Sequence, residues 1–337
     1  MSNQEDIAAL YQCAEDGHAL EGDINVQPGV SGTLEFRNVG SIAGKIIIEH
    51  NPLLEVLQLG TDFKDIDLPG GAETGLVLRN LSALVEISGA SATGTFATVE
   101  LQDLPSLTIV SLPSMRPGDR FSLTHAEKLA DFDFASDSGP TTAIAADIDI
   151  QDVSLESVDQ FFRRGLKGQN ISVRGISKVS ELQYALLDAN KVFIGGNGNL
   201  TVILPNPEYI DPQNPPDETY VQSLTLSGIR DYTPKGPHVL PTVDTLTVSE
   251  GTFFTFAMFV KDISNLDIHN NQRLGTFDYG REWNDYSWKS ISIKNNPYWG
   301  VAPALDKNTE DMGVFWVWPN KPIETVELIG LFSILFL

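Results

Sequence analysis

The sequence predicts an all-β chain, a right-handed parallel β-solenoid with a short N-terminal helical cap, on three observations. The first is a recurring unit, seen in full at residues 44–60. Ile46 and Ile48 alternate as in a half-buried strand, His50-Asn51-Pro52 breaks the alternation, and Leu54, Val56, Leu57 and Leu59 resume it. The second is the return of that unit. Anchored on the second apolar residue of its first strand, it recurs at Leu78, Leu101, Leu123, Ile150, Val173, Ile194, Leu226, Val248, Ile268, Ile293 and Leu328. Phe36 opens an incomplete copy. Steps of 20 to 35 residues are the signature of stacked coils, each too small to fold alone.

The third observation is the column two residues past the anchor: Asn38, His50, Asn80, Asp103, His125, Asp152, Gly175, Gly196, Gly228, Glu250, Asn270, Asn295 and Gly330. Apart from Glu250, these are the residue types that most readily take a positive φ, so a corner is expected there in each coil. Apolar residues six positions past the anchor (Leu54, Leu84, Leu107, Leu129, Val179, Leu200, Phe254, Leu274, Trp299) and nine past it (Leu57, Ile87, Val110, Phe132, Leu182, Phe277) continue the core beyond that corner.

In chain order, residues 1–21 form the cap, helical at Glu5 to Ala14, and 22–337 form one solenoid domain that begins with the strand Gly22 to Val26. Longer coil spacings are loops let out near 61–74, 205–220, 280–288 and 300–322. The basic run 160–164 reads as a helical corner, and 323–337 as a last strand buried at the end of the stack.

Composition narrows the function. Of 337 residues, 42% are hydrophobic, enough for a core, and 45 Asp and Glu against 22 Lys and Arg give a formal charge of -23. Such a surface repels phosphate backbones, so nucleic acid is not an expected partner. Cys13 is the single cysteine, which rules out an internal disulfide and a cysteine metal site. No run of about eighteen apolar residues occurs, so no membrane span is expected. The start, MSNQEDIAALYQ, lacks the apolar core of a signal peptide.

Asp147 and Asp149 share the outer face of one strand and could bind Ca²⁺ or act as acid and base; solvated carboxylates are the plainer reading. His50, His125 and His269 sit at turns, in no metal or nucleophile spacing. No catalytic residue, cofactor site or metal site is expected. All five tryptophans (Trp283, Trp288, Trp299, Trp316, Trp318) fall near the C-terminus. They read as an end cap, with Trp283, Tyr286 and Trp288 as a candidate ligand platform for a sugar or partner surface.

The coils I-x-I-x-x-N-P-x-L-x-x-L-x-L at 46–59 and L-x-I-x-x-N-x-x-L-x-x-F-x-Y at 266–279 resemble the leucine-rich-repeat-like receptor L-domain fold. Within it, the nearest likeness is to fungal cell-wall organisation proteins that carry a GPI glycolipid anchor. The opening C-x6-L-E-G-D-I-N-V, Cys13 to Val26, resembles the start of their first coil. The resemblance implies a secreted glycoprotein in the cell wall or on the outer plasma membrane surface, with a role in wall organisation and no catalytic residues. Its expected partners are cell-wall glycan or a surface protein. The sequons at Asn80, Asn170 and Asn199, each read as lying at a strand end or turn, fit that implication. The chain departs from the family in lacking a signal peptide, a partner for Cys13 and a full anchor signal. A cytoplasmic leucine-rich scaffold is therefore the alternative, and a β-helix enzyme acting on polysaccharide is a third reading.

Overall fold

The computed structural model describes residues 20–36, 42–60, 74–89, 94–134, 144–155, 166–176, 178–183, 187–203, 220–233, 242–252, 255–257, 260–274, 276–278, 289–297 and 325–329. Among them there are strands, turns and no helix. The chain divides into two compact units, Met1–Gly168 with Gly175–Val179, and Gln169–Arg174 with Ser180–Leu337. Each is a parallel β-solenoid. The strand Leu166–Ile176 contributes residues to both, and its start pairs with Ile144–Ala145.

In the first unit a long ladder stacks Ile24–Val26, Lys45–Glu49, Gly75–Arg79, Gly94–Gln102, Met115–Ala126 and Asp147–Val153, all parallel. Its register sets Val26, Ile48, Leu78, Leu101, Leu123 and Ile150 in one column, each on the next. A second ladder joins Gly32–Phe36, Leu54–Leu59, Glu86–Ser88, Ile109–Leu112 and Asp131–Phe134. The core fills the space between the two ladders. Phe121 of the long ladder lies 5.1 Å from Phe134 and 6.1 Å from Phe132 of the second, ring centre to ring centre.

The second unit repeats the plan. Leu187–Gly195, Tyr220–Ser227, Thr242–Ser249, Asp262–His269, Ser290–Lys294 and Thr325–Ile329 form its long ladder. Ile194, Leu226, Val248, Ile268, Ile293 and Leu328 are its anchor column. Short strands close the coils: Glu181–Gln183, Thr201–Ile203 and Asp231–Thr233 in one row, Thr255–Ala257 and Thr276–Asp278 in another.

The corners behave as their residue types predict. His50, Asn80, Asp103, His125, Asp152, Asn270 and Asn295 have φ between 53° and 59°, and Gly175 and Gly228 have φ of 64° and 60°. Glu250, the one residue that departs in type, also adopts φ 56°. Corner N–H groups reach the next coil: His50 donates to the Arg79 carbonyl, Asn80 to Gln102, Asp103 to Thr124 and Asn270 to Lys294, each at 3.1 Å. Gly196 is the exception, because the positive φ falls at Gly198 instead. A Cβ at Gly196 would lie 2.6 Å from the Gly228 carbonyl oxygen, so glycine serves there for close approach of two backbones.

Three expectations need correction. Phe36 is no anchor: it pairs with Leu59 in the second ladder, while Val26 holds the anchor place of that coil. Pro28 takes the corner position after Val26 and disguises the copy. The cap was expected to include residues 20 and 21, but Leu20–Glu21 is a strand paired with Ile42–Ala43, and the helix expected at Glu5 to Ala14 lies outside the described residues. Tyr220, placed in the second loop, opens the strand Tyr220–Ser227. The bodies of the four loops, the basic run 160–164 and residues 330–337 lie outside the described residues.

A column unforeseen from sequence lies one residue past the corner. Leu81, Leu104, Ala126, Val153, Ile176 and Ile229 are buried there, and so are Asn51, Asn271 and Asn296, each with 0% exposure. Asn271 Nδ2 donates to the carbonyls of Val248 and His269, and its Oδ1 accepts from the Gly251 N–H. Asn296 repeats the pattern on Ile268 and Lys294. These amides pair backbone groups that the sharp corner leaves outside the ladders.

Candidate functional site: the outer faces of the long ladders

Alternation sends every second side chain of a long ladder outward, and parallel register lines those side chains up in rows. In the first unit the rows mix charged, neutral polar and apolar residues, as in Ile47, Val77, Glu100, Ser122 and Asp149, and several of the charges are paired. Arg79 bridges three strands: Nη1 donates to Glu49 Oε1 at 2.8 Å and Nη2 to Glu100 Oε2. Arg120 Nη1 stands 3.7 Å from Glu100 Oε1. The hydrogen bond to Glu100, ahead of the pull of both carboxylates, raises the Arg79 guanidinium further above its ordinary value.

Asp147 and Asp149 do share the outer face, while the alternating Ile148 and Ile150 are buried. Register places Arg120 opposite Asp147 and Ser122 opposite Asp149, a basic neighbour that sequence order had hidden. The Asp149 Oδ1 is enclosed and makes no hydrogen bond.

Along the corners of the same unit, His125 Nδ1 lies 2.7 Å from Asp103 Oδ1, and its Nε2 lies 3.5 Å from Asp152 Oδ2. The three side chains string out one coil apart. Among the described residues no group of three or more His, Cys, Asp and Glu is arranged to hold a metal ion. His269 ends a strand beside Asp267, and the corner itself is Asn270.

The outer face of the second unit differs in chemistry. Strands Tyr220–Ser227 and Thr242–Ser249 set Ser223, Thr225 and Ser227 over Thr245, Thr247 and Ser249, six neutral hydroxyls in register, of which Ser249 is buried. The outer two rows are tied into relays. Ser249 Oγ donates to Ser227 Oγ at 3.2 Å, Asn265 Nδ2 to Thr245 Oγ1 at 3.4 Å, and Ser290 Oγ to Asn265 Oδ1 at 2.8 Å. The middle row begins at Phe193, which pairs in register with Thr225 and is 36% exposed. It continues through Thr247, Asp267, Ser292 and Glu327. Sequence reading passed over this row because outward residues carry no packing signal; the repeated S/T-x-T of Ser223 to Thr225 and Thr245 to Thr247 was the available cue.

The predicted sites stand as follows. Asn80, Asn170 and Asn199 are all exposed. Asn80 sits at a corner and Asn199 in the link before the strand Thr201–Ile203, whereas Asn170 lies inside the strand Leu166–Ile176, a correction to its expected place at a strand end. Trp283, Tyr286, Trp288 and the remaining tryptophans lie outside the described residues. No helix among the described residues is long and apolar enough to cross a membrane. In comparisons with known proteins, no family model, no curated protein and no solved structure matches the chain.

Proposed function

We propose that this protein is a non-catalytic cell-surface or cell-wall glycoprotein with a role in wall organisation, which presents solenoid faces and loops to glycan or to a protein partner. The observation that carries the reading is the exposure of all three sequons on a solenoid. An N-linked glycan needs an accessible asparagine, and each of the three offers one. The receptor L-domain resemblance of the coil motif is a second support, since it implies the same setting. The rows of polar side chains on the long ladders suit a role in binding, because repeat stacking makes extended recognition surfaces.

The deciding experiment is mass spectrometry of material from the native source, combined with antibody labelling of intact cells. Glycan on Asn80, Asn170 or Asn199 together with surface labelling is the expected result. Bare sequons and labelling only after permeabilisation would overturn the reading in favour of a cytoplasmic leucine-rich scaffold.

A further inference from the structure

We infer that the middle row of the second unit's outer face is a docking lane for a neutral, extended, β-linked polysaccharide, with Phe193 as its stacking residue. This rests on the proposed surface role and names the ligand class for it.

The ring comes first. Phe193 is a large apolar side chain left partly in water on the open side of a sheet, where alternation would ordinarily set a polar residue. Its position is built rather than incidental. A Cβ on Gly195 would lie 2.9 Å from Phe193 Cε1 and 3.1 Å from the Arg174 Cβ, so the ring leans into space that a side chain at 195 would fill. A partly exposed aromatic ring is the kind of surface on which the C–H side of a pyranose stacks.

Beyond the ring, the row supplies hydrogen-bonding groups at the pitch of the strands, about 4.8 Å per coil. That pitch is close to the advance of one β-linked pyranose along an extended chain. Thr225 and Thr247 follow Phe193 in register, then the Asp267 carboxylate, Ser292 and Glu327, the last paired with Lys294. The Thr225 and Thr247 hydroxyls enter no hydrogen bond among the described residues, whereas their flanking rows are linked by the relays through Ser227, Ser249, Asn265 and Ser290. The flanks are thus held in place while the centre stays open to a ligand.

Charge selects the class. Past Phe193 the lane offers neutral hydroxyls, and its two carboxylates, Asp267 and Glu327, would accept from sugar hydroxyls but repel an acidic polymer. The formal charge of -23 acts in the same direction. Rows built on backbone geometry rather than on charge suit an uncharged partner whose own hydroxyls repeat at a fixed interval.

Titration calorimetry of the full chain with a soluble β-linked glucose hexasaccharide tests the lane, with polygalacturonate as the anionic probe. Binding of the hexasaccharide and no binding of polygalacturonate are expected. Phe193→Ala should weaken affinity about 5- to 10-fold, the loss of one aromatic stacking contact. Phe193→Tyr should retain it, which separates a stacking role from a folding defect. The double change Thr225→Val and Thr247→Val keeps shape and removes both hydroxyls, and should weaken binding further. Absence of hexasaccharide binding by the wild type, preference for polygalacturonate, or affinity indifferent to Phe193→Ala and to the double change would each overturn the lane. A glycosylated surface protein with an inert lane would leave the wider function standing, so the two failures are distinguishable.

Discussion

Asn296 Oδ1 accepts two hydrogen bonds from Asn271, one from its backbone N–H and one from its side-chain Nδ2, both at 3.0 Å. Asn271 in turn serves the Gly251 N–H and the carbonyls of Val248 and His269. Asn271→Ala strips partners from several buried groups at once. Each such group costs about 1 to 3 kcal/mol when left unsatisfied, so a loss of at least about 3 kcal/mol is expected in a denaturant melt. Asn270→Gly, one residue earlier at φ 59°, should change stability by about 0.5 kcal/mol or less, since glycine adopts that backbone without strain.

The anchor column gives the packing counterpart. Leu101 is fully buried between Leu78 and Leu123. Leu101→Ala should destabilise by about 2 to 5 kcal/mol through lost contacts and a cavity. Lys45 points out of the same ladder, and Lys45→Ala should cost about 0.5 kcal/mol or less. Comparable melts for the two variants would contradict the assignment of faces.

Arg79 joins Glu49 and Glu100 across three coils, with the Glu100 side chain only 14% exposed and the other two over a third exposed. A double-mutant cycle on Arg79→Ala and Glu49→Ala should give a coupling of about 0.3 to 1 kcal/mol that shrinks in high salt. The Arg79 and Glu100 cycle should give the larger value, because that carboxylate is less hydrated.

Tyr220 donates its phenolic O–H to Asp244. That hydrogen bond, then burial and the neighbouring negative charge, raises the phenol above its ordinary value of 10.0. The folded state therefore prefers the protonated phenol. Its contribution is fully present below about pH 10 and is lost as the pH rises through the raised folded value. The stability difference between wild type and Tyr220→Phe should narrow in alkaline melts, and a gap that widens with pH would refute the assignment.

What could be read in the sequence was whatever the coil imposes on residue type. The anchor column follows from inward packing with period two, with Val26 rather than Phe36 at its start. The corner column follows from the scarcity of residues that take a positive φ; among the described corners a positive φ falls where expected, even at Glu250, except at Gly196. The buried amides were harder to see, since Asn51, Asn271 and Asn296 each follow a polar corner residue and merge with it. The sign was a polar residue in a column that is otherwise Leu81, Leu104, Val153 and Ile229. Phe36 misled because Val26-Gln27-Pro28 replaces the usual corner, leaving the second-ladder strand to imitate a first. The outward row from Phe193 escaped notice for a different reason: nothing in core packing constrains it, and only register brings residues 193, 225, 247, 267, 292 and 327 together.

Register in the second unit has an evolutionary consequence. Leu226 meets Val248, Val248 meets Ile268, and the flanking residues step forward in the same way at every row. An in-frame duplication or deletion of one coil therefore returns each surviving strand to a neighbour with its inward and outward positions already matched. Reach can be altered by whole increments of about 4.8 Å, with the chemistry of each retained coil unchanged. Selection could adjust how far such a protein extends independently of what its surface holds.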